Sequence, residues 1–216
     1  MPIMEPMQFD QLIKRLEHSL KQPLPGVKAH TRLFPPTRSE FPPINFSAVK
    51  IGAVLAMLFS QNGQTRLTFI LRQKYNGVHS GQISFPGGGY EENDLTYSKT
   101  ATRETQEEIG VPEEEIKIIG QLSQLYIPPS NFLVYPFVGY IQKQPNYKPD
   151  ITEVTEVFDL SLNELMKEEC FQFQPVISRS KQVKVPCFVT QNRLIWGATA
   201  MILNELLEII KQGSDF

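Results

Sequence analysis

The run from Ile51 to Phe59, IGAVLAMLF, constrains this chain more than any other stretch. It carries no charge and is too short to span a bilayer, so it reads as a buried strand. The turn NGQ follows it, and then RLTFILRQ from Arg66 to Gln73, so the pair reads as a hairpin. Further on, GQISF (Gly81 to Phe85) is a short strand running into a glycine-rich loop, PGGG, at Pro86 to Gly89. Thr96 to Ile109 is a helix whose less polar face is Tyr97, Ala101, Thr105 and Ile109 at i, i+4 spacing. Gly110 suits its left-handed cap, and Pro112 bars continuation. IKIIGQLSQL, FLVYPFVGYI and ITEVTEVFDL are strands, and SLNE at Ser161 to Glu164 is a capping box opening a short helix. KVPCFVT and RLIW make a hairpin around QN, Trp196 begins the last helix, and an apolar helix from Ala198 to Ile210 closes the chain. Strands and helices mix without regular βαβ alternation. That predicts an α+β fold, an α/β/α sandwich with helices on the faces of a mixed sheet.

Before the first strand, Phe9, Leu12, Ile13, Leu16 and Leu20 recur at helical spacing. From Pro23 to Pro43 the chain is proline-rich and reads as an extended arm across the domain. Residues 1–47 are therefore expected to be a helix and arm packed on a domain formed by 48–216, where the arm covers a sheet edge or joins a homodimer. The 216 residues suffice for one sizeable core, and a net charge of −2 gives no basic stripe for nucleic acid. The N-terminus has no apolar signal region, the closing GSDF is no targeting address, and no run is long enough for a membrane span. Cys170 and Cys187 then read as reduced core thiols, which points to the cytoplasm.

The chemistry concentrates in RETQEEIG, Arg103 to Gly110. On a helix Glu104 and Glu108 point almost the same way, with Glu107 beside them. In water this repulsion costs only about 0.2–0.5 kcal/mol per pair. At an effective dielectric near 20, charges about 6 Å apart repel by roughly 3 kcal/mol, and a cleft would then need a cation. A pair of adjacent glutamates on a helix is usually a solvated face, and a glycine run usually a flexible turn. A glycine-rich loop, the acidic Asp94, a helix with Arg103 and three glutamates, and a capping glycine together are much rarer. Glycines let the backbone approach a ligand, carboxylates one turn apart suit a hard divalent cation, and Arg103 reaches Glu107 at i+4.

Those residues resemble the Nudix box, G-x5-E-x7-R-E-U-x-E-E-x-G-U with U apolar. Arg103 to Val111 matches its second half, with Thr105 where an aliphatic residue is usual. In the first half Leu95 stands at the acidic position, and Asp94 and Gly88 each lie one residue early, a shift similar to that of the coenzyme A pyrophosphatase branch. LRQKYNGVHSGQISFPGG, Leu71 to Gly88, resembles that branch's upstream motif at Arg72, His79, Gly81, Gln82 and Phe85, although Gly77 stands where the branch often has Arg. PPSNFLVYPFVG and IWGATAMIL are also similar to it.

The resemblance implies a Nudix fold and hydrolysis of a diphosphate bridge in a nucleoside diphosphate derivative, with Mg²⁺ or Mn²⁺. Coenzyme A or its acyl derivatives are the first candidate; another dinucleotide (ADP-ribose, NADH) or a catalytically silent nucleotide-binding module are the alternatives. It implies Glu104 and Glu108 as primary metal ligands, Glu107 as a further ligand or water-positioning group, Arg103 as the residue that orients them, and the Gly88 carbonyl as a metal ligand. Arg72, His79, Gln82, Gly87 and Gly88 would meet substrate. The general base stays open between Glu107, Glu153 and Glu156. A lone histidine such as His79 is about as often structural. Arg72 could pair with phosphate or with a box carboxylate, and Tyr126, Phe132 and Tyr135 could line a nucleotide pocket or belong to the core.

Overall fold

The computed structural model describes residues 8–36, 40–44, 46–77, 79–178 and 181–212. The opening residues and the closing GSDF, from which targeting signals were judged, lie outside them, as do parts of the expected arm. In chain order the elements are α1 (Phe9–Ser19), α2 (Val27–Thr31), β1 (Lys50–Gln61), β2 (Gln64–Arg72), β3 (Ile83–Ser84), β4 (Gly87–Gly89) and α3 (Tyr97–Ile109). Then come β5 (Lys117–Gln121), β6 (Leu125–Ile127), β7 (Phe132–Tyr140), β8 (Val154–Ser161), α4 (Leu162–Leu165), β9 (Phe171–Ser178), β10 (Lys181–Thr190), β11 (Arg193–Trp196) and α5 (Gly197–Gln212).

β1 is the axis of the main sheet, whose order is β3-β2-β1-β7-β5, with β4 also on β1, β6 on β7 and β8 on β2. The β1–β2 hairpin turns at Asn62 and Gly63, both at positive φ (52° and 73°), as a two-residue turn matched to strand twist requires. β7 runs parallel to β1 and β2 antiparallel, so the sheet is mixed. The apolar run is explained by cover on both faces. Ala53, Leu55, Met57 and Phe59 pack with Ala101 and Ile109 of α3. Ala56 and Leu58 join the larger core with α1 and α5, where Leu16, Leu203 and Leu206 are buried. At roughly 1.5–3 kcal/mol for each fully buried large apolar side chain, these two layers dominate the fold's stability.

Four local expectations change. The PGGG stretch is not a loop: Gly87–Gly89 pairs antiparallel with β1, Gly88 opposite Ala53, because residues without side chains let two backbones lie under a crossing helix. The arm contains α2, which docks on α5 through Gly26, His30 and Glu205. Phe171–Ser178 forms a strand of a second sheet, β9-β10-β11, and Trp196 ends β11 rather than opening the last helix. Ser161 stands at the N-cap of α4, but its buried side chain makes no capping hydrogen bond, so the capping box is absent. Cys170 and Cys187 are free and buried, as expected. Among the described residues no helix is long and apolar enough to cross a membrane.

Candidate active site

The site is where α3 crosses β4. Thr96 caps α3, its hydroxyl accepting from the Lys99 amide at 3.2 Å. At the other end Gly110 adopts φ 72°, and the chain at Lys148 and Asp150 donates amides to the last-turn carbonyls of Ile109 and Glu108. So fixed, the helix lays its carboxylates on the glycine strand. A Cβ on Gly88 would come within 2.4 Å of the Glu104 carboxylate, so only glycine leaves that carboxylate its place. Glu108, 1% exposed, accepts from the Gly87 amide at 2.8 Å and pairs with Arg72 of β2 at 3.1 Å.

Arg103 is the hub. Its Nε and Nη2 grip the two oxygens of Asp94 at 2.7 and 3.1 Å, Nη2 also donates to the Gly89 carbonyl at 2.9 Å, and Nη1 holds Glu107 at 2.8 Å. The Glu104 carboxylate lies 3.1 Å from Nη2. Asp94 is buried and also accepts from the Thr100 hydroxyl and the Glu91 amide. Its Arg103 bonds hold its carboxyl down to about 2, and the same contacts raise the Arg103 guanidinium. The one-residue shift in the box is thereby explained. Leu95 sits at φ 61°, 86% exposed, and this left-handed residue turns Asp94 inward to Arg103. Sequence reasoning gave Asp94 no role; its acidic character one residue off the expected spacing was the signal.

The remaining carboxylates carry more negative charge than the arginines balance. Burial pushes Glu108 up to about 7, with Arg72 and the Gly87 amide pulling down and Glu104 and Glu153 adding repulsion. Burial likewise raises Glu104, against Arg103. Glu107 is 57% exposed on the rim. Among the described residues, no three His, Cys, Asp or Glu side chains are grouped to hold a metal by themselves. Mg²⁺ does not require that: it takes one or two carboxylates, keeps waters and adds substrate phosphate. Two desolvated carboxylates held toward protonation fit such an ion, since its charge would replace the missing protons.

The other expected residues divide. Arg72, His79, Gln82, Gly87 and Gly88 all line one cleft of about 960 Å³. His79 is half-buried between Ser130 (Nε2 to Oγ, 2.9 Å) and Gln82 (Nδ1 to Oε1, 3.3 Å), and burial holds its pKa down. Tyr126 and Phe132 line the cleft too, but Tyr135 points to the opposite face and stacks on Tyr97 with centroids 4.2 Å apart. That follows from strand alternation, because Phe132 and Tyr135 differ by an odd number of residues. Of the late acidic residues, Glu153 precedes β8 and its charge reaches both Glu104 and Glu108. Glu156 is instead taken by Arg193 in a two-pronged pair at 2.6 and 2.7 Å. Ser130 was not singled out by sequence, although it lies in PPSNF.

A mixed sheet clasped between helices, with an arginine-organised glutamate helix lying on a glycine strand, is the frame of one hydrolase class. Residues 49–179 match the NUDIX domain, and the chain belongs to the Nudix hydrolase family. It is 32% identical over 133 residues to the uncharacterized Nudix hydrolase NudL of Photorhabdus laumondii, covering 62% of this chain and 71% of that protein. With NudL of Pectobacterium atrosepticum it is 35% identical over 130 residues, covering 59% and 66%. Among solved structures, the MutT/nudix family protein from Enterococcus faecalis aligns with a TM-score of 0.52 at 15% identity, over 94% of this chain and 73% of that one, which is a likeness of fold.

Proposed function

We propose that the protein hydrolyses the diphosphate bridge of coenzyme A or its acyl derivatives, releasing adenosine 3′,5′-bisphosphate and 4′-phosphopantetheine or its acyl form. The observation that carries the reading is the seating of the Glu104 and Glu108 carboxylates on Gly87–Gly88, beside a cleft that Arg72, His79 and Gln82 also line. The motif spanning Leu71 to Gly88, which resembles the coenzyme A pyrophosphatase branch, supports this substrate over others.

In this reading Glu104 and Glu108 would hold Mg²⁺ or Mn²⁺, assisted by the Gly88 carbonyl and by Glu107 as a further ligand or water-positioning group. The ion, when bound, neutralises the diphosphate and makes water a better nucleophile. Arg103, anchored on Asp94, keeps Glu104 and Glu107 in place. Arg72 holds Glu108 and offers its charge to the incoming phosphate. His79, kept neutral by burial, presents a hydrogen-bonding ring to the substrate, and the Gly87–Gly88 backbone allows close approach. Proton abstraction from water falls to Glu107 or to Glu153, whose charge is felt at both ligand glutamates.

One feature favours a second substrate. A Cβ at Gly77 would fall 2.0 Å from the Tyr75 ring, so this ring occupies the space beside the position where the branch often carries Arg. Without that cation, a diphosphate lacking the 3′-phosphate, such as ADP-ribose or NADH, becomes the alternative. Products from coenzyme A, 3′-dephospho-coenzyme A, ADP-ribose and NADH, each with and without Mg²⁺, test the proposal. Phosphopantetheine released from coenzyme A only with metal is expected, and Glu104→Gln and Glu108→Gln should abolish it. Indifference to the 3′-phosphate would shift the assignment to the second reading. Wild-type turnover no greater than that of the two variants on every substrate would mean a silent nucleotide-binding module.

A further inference from the structure

The cleft that meets the glycine strand does not end there. It continues to a wall built by Val183 and Val185 of β10, Trp196 of β11, and Met201 and Ile202 of α5. All five lie outside the family-matched residues 49–179, so family membership alone does not account for this part of the cavity. Ser84 of β3 lines the same cavity. Its Oγ is buried and has no hydrogen-bond partner among the described residues. Another hydroxyl of the lining, Thr199, is already satisfied by the Ile83 carbonyl at 2.9 Å. A buried hydroxyl left without a partner costs free energy unless a ligand supplies one. A cavity of about 960 Å³ exceeds what a diphosphate alone would fill, and mostly apolar walls with a few convergent polar groups are the usual form of a ligand pocket.

We infer that this apolar extension, entered past the Ser84 hydroxyl, is a subsite for an unbranched acyl chain carried on the substrate's non-nucleotide arm. The inference rests on the proposed diphosphate hydrolysis and specifies which substrates the enzyme prefers. The Ser84 hydroxyl donates to the carbonyl at the head of the chain, and the methylenes beyond it leave water for the wall of β10, β11 and α5. Transfer of each methylene favours binding by up to about fourfold, so the preference accumulates along the chain until the cavity is full.

Trp196 is the only tryptophan in the chain and lies in this wall, so its fluorescence reports filling without turnover. The intact protein in EDTA is titrated with coenzyme A and with its acetyl, hexanoyl and decanoyl thioesters. A saturable Trp196 change that strengthens from acetyl to decanoyl and is weak with coenzyme A is expected. In Mg²⁺, kcat/KM for decanoyl-coenzyme A should exceed that for coenzyme A by at least tenfold. Val183→Phe, which puts a ring into the extension, should collapse that ratio toward one, and Ser84→Ala should lower it by about two- to tenfold. Because the ratio is taken within each variant, partial loss of folded protein does not affect it. A ratio of one in the wild type, with no Trp196 response to any thioester, would overturn the subsite while leaving hydrolysis of coenzyme A intact. If no thioester is cleaved but ADP-ribose is, the proposed substrate fails. The fluorescence series then decides the subsite alone: a chain-length-dependent response supports it, and a flat one overturns it.

Discussion

Glu108 offers a measurement of how charge is stored at the site before any metal arrives. Its side chain is 1% exposed, and burial lifts its pKa from the ordinary 4.5 to about 7. A carboxyl whose folded pKa lies above its unfolded one favours the folded state when protonated. That contribution is complete below about pH 4.5 and is lost as pH rises through about 7. The difference of roughly 2.5 units corresponds to about 3 kcal/mol at about 1.36 kcal/mol per unit. For a chain of this size, that is a fall in Tm of about 6–12 °C between pH 5 and 8. Glu104, also raised, adds in the same direction, whereas His79, held below its ordinary value, acts oppositely as pH falls through its own range. Comparison of wild type with Glu108→Gln isolates the Glu108 part. In EDTA, thermal unfolding should show wild type losing stability relative to the variant as pH rises from 5 to 8. Adding Mg²⁺ at pH 8 should restore Tm in wild type and far less in the variant. A wild-type-minus-variant difference flat across this range in EDTA would refute the claim that Glu108 is an undercompensated buried charge.

Other consequences are equally direct. Gly88→Ala drives a methyl group into the Glu104 carboxylate and should lower kcat by about 100-fold, since misplacement by about 1 Å costs that much, with only a modest change in Tm. Asp94→Ala leaves Arg103 without its main partner and Thr100 with only a long bond to the Thr96 carbonyl; urea unfolding should show a loss of about 3 kcal/mol or more, together with loss of activity. Glu205→Ala removes the buried acceptor shared by Gly26, His30 and Ser123, so amide exchange in α2 should accelerate sharply while α3 stays protected. Cys170 and Cys187 should react with a thiol reagent only in denaturant, because both are buried.

What the sequence disclosed and what it hid follow from the range of the interactions involved. The β1–β2 hairpin and α3 with its Gly110 cap depend on residues a few positions apart, and both were legible; Thr96, read as the first helical residue, is instead the N-cap. The Arg103–Glu107 pair was legible for the same reason, being one turn apart. β4 was hidden because Gly87–Gly89 has no strand propensity of its own; its pairing is dictated by β1, whose backbone leaves no room for a side chain at Gly87, while the Glu104 carboxylate leaves none at Gly88. α2 was hidden because its anchor, Glu205, lies far along the chain. Ser161 misled because its sequence has the form of a cap while the strand before it buries the side chain. β9 could have been read: Phe171 and Phe173 alternate with Gln172 and Gln174, a period of two.

The way the charges are arranged says why the glycine strand and the glutamate helix must occur together. Glu108 gains one arginine and one amide, Glu104 shares Arg103 with Asp94 and Glu107, and neither receives enough to be held fully ionised at low cost. Replacing either by an apolar residue would relieve burial, as buried ionic groups are often dispensable for stability alone. A side chain on Gly88 would relieve it differently, by pushing the Glu104 carboxylate toward water. The fold does neither: it holds two carboxylates in a narrow place where protons or a cation must complete them. A site whose charge is balanced only by something from solution binds divalent ions more tightly as pH rises through about 7, since the ion then displaces fewer protons from Glu108. Isothermal titration of Mn²⁺ in two buffers of different ionisation heat would detect those protons at pH 6 and their absence at pH 8. An equal proton count at both would mean that the ion does not reach Glu108.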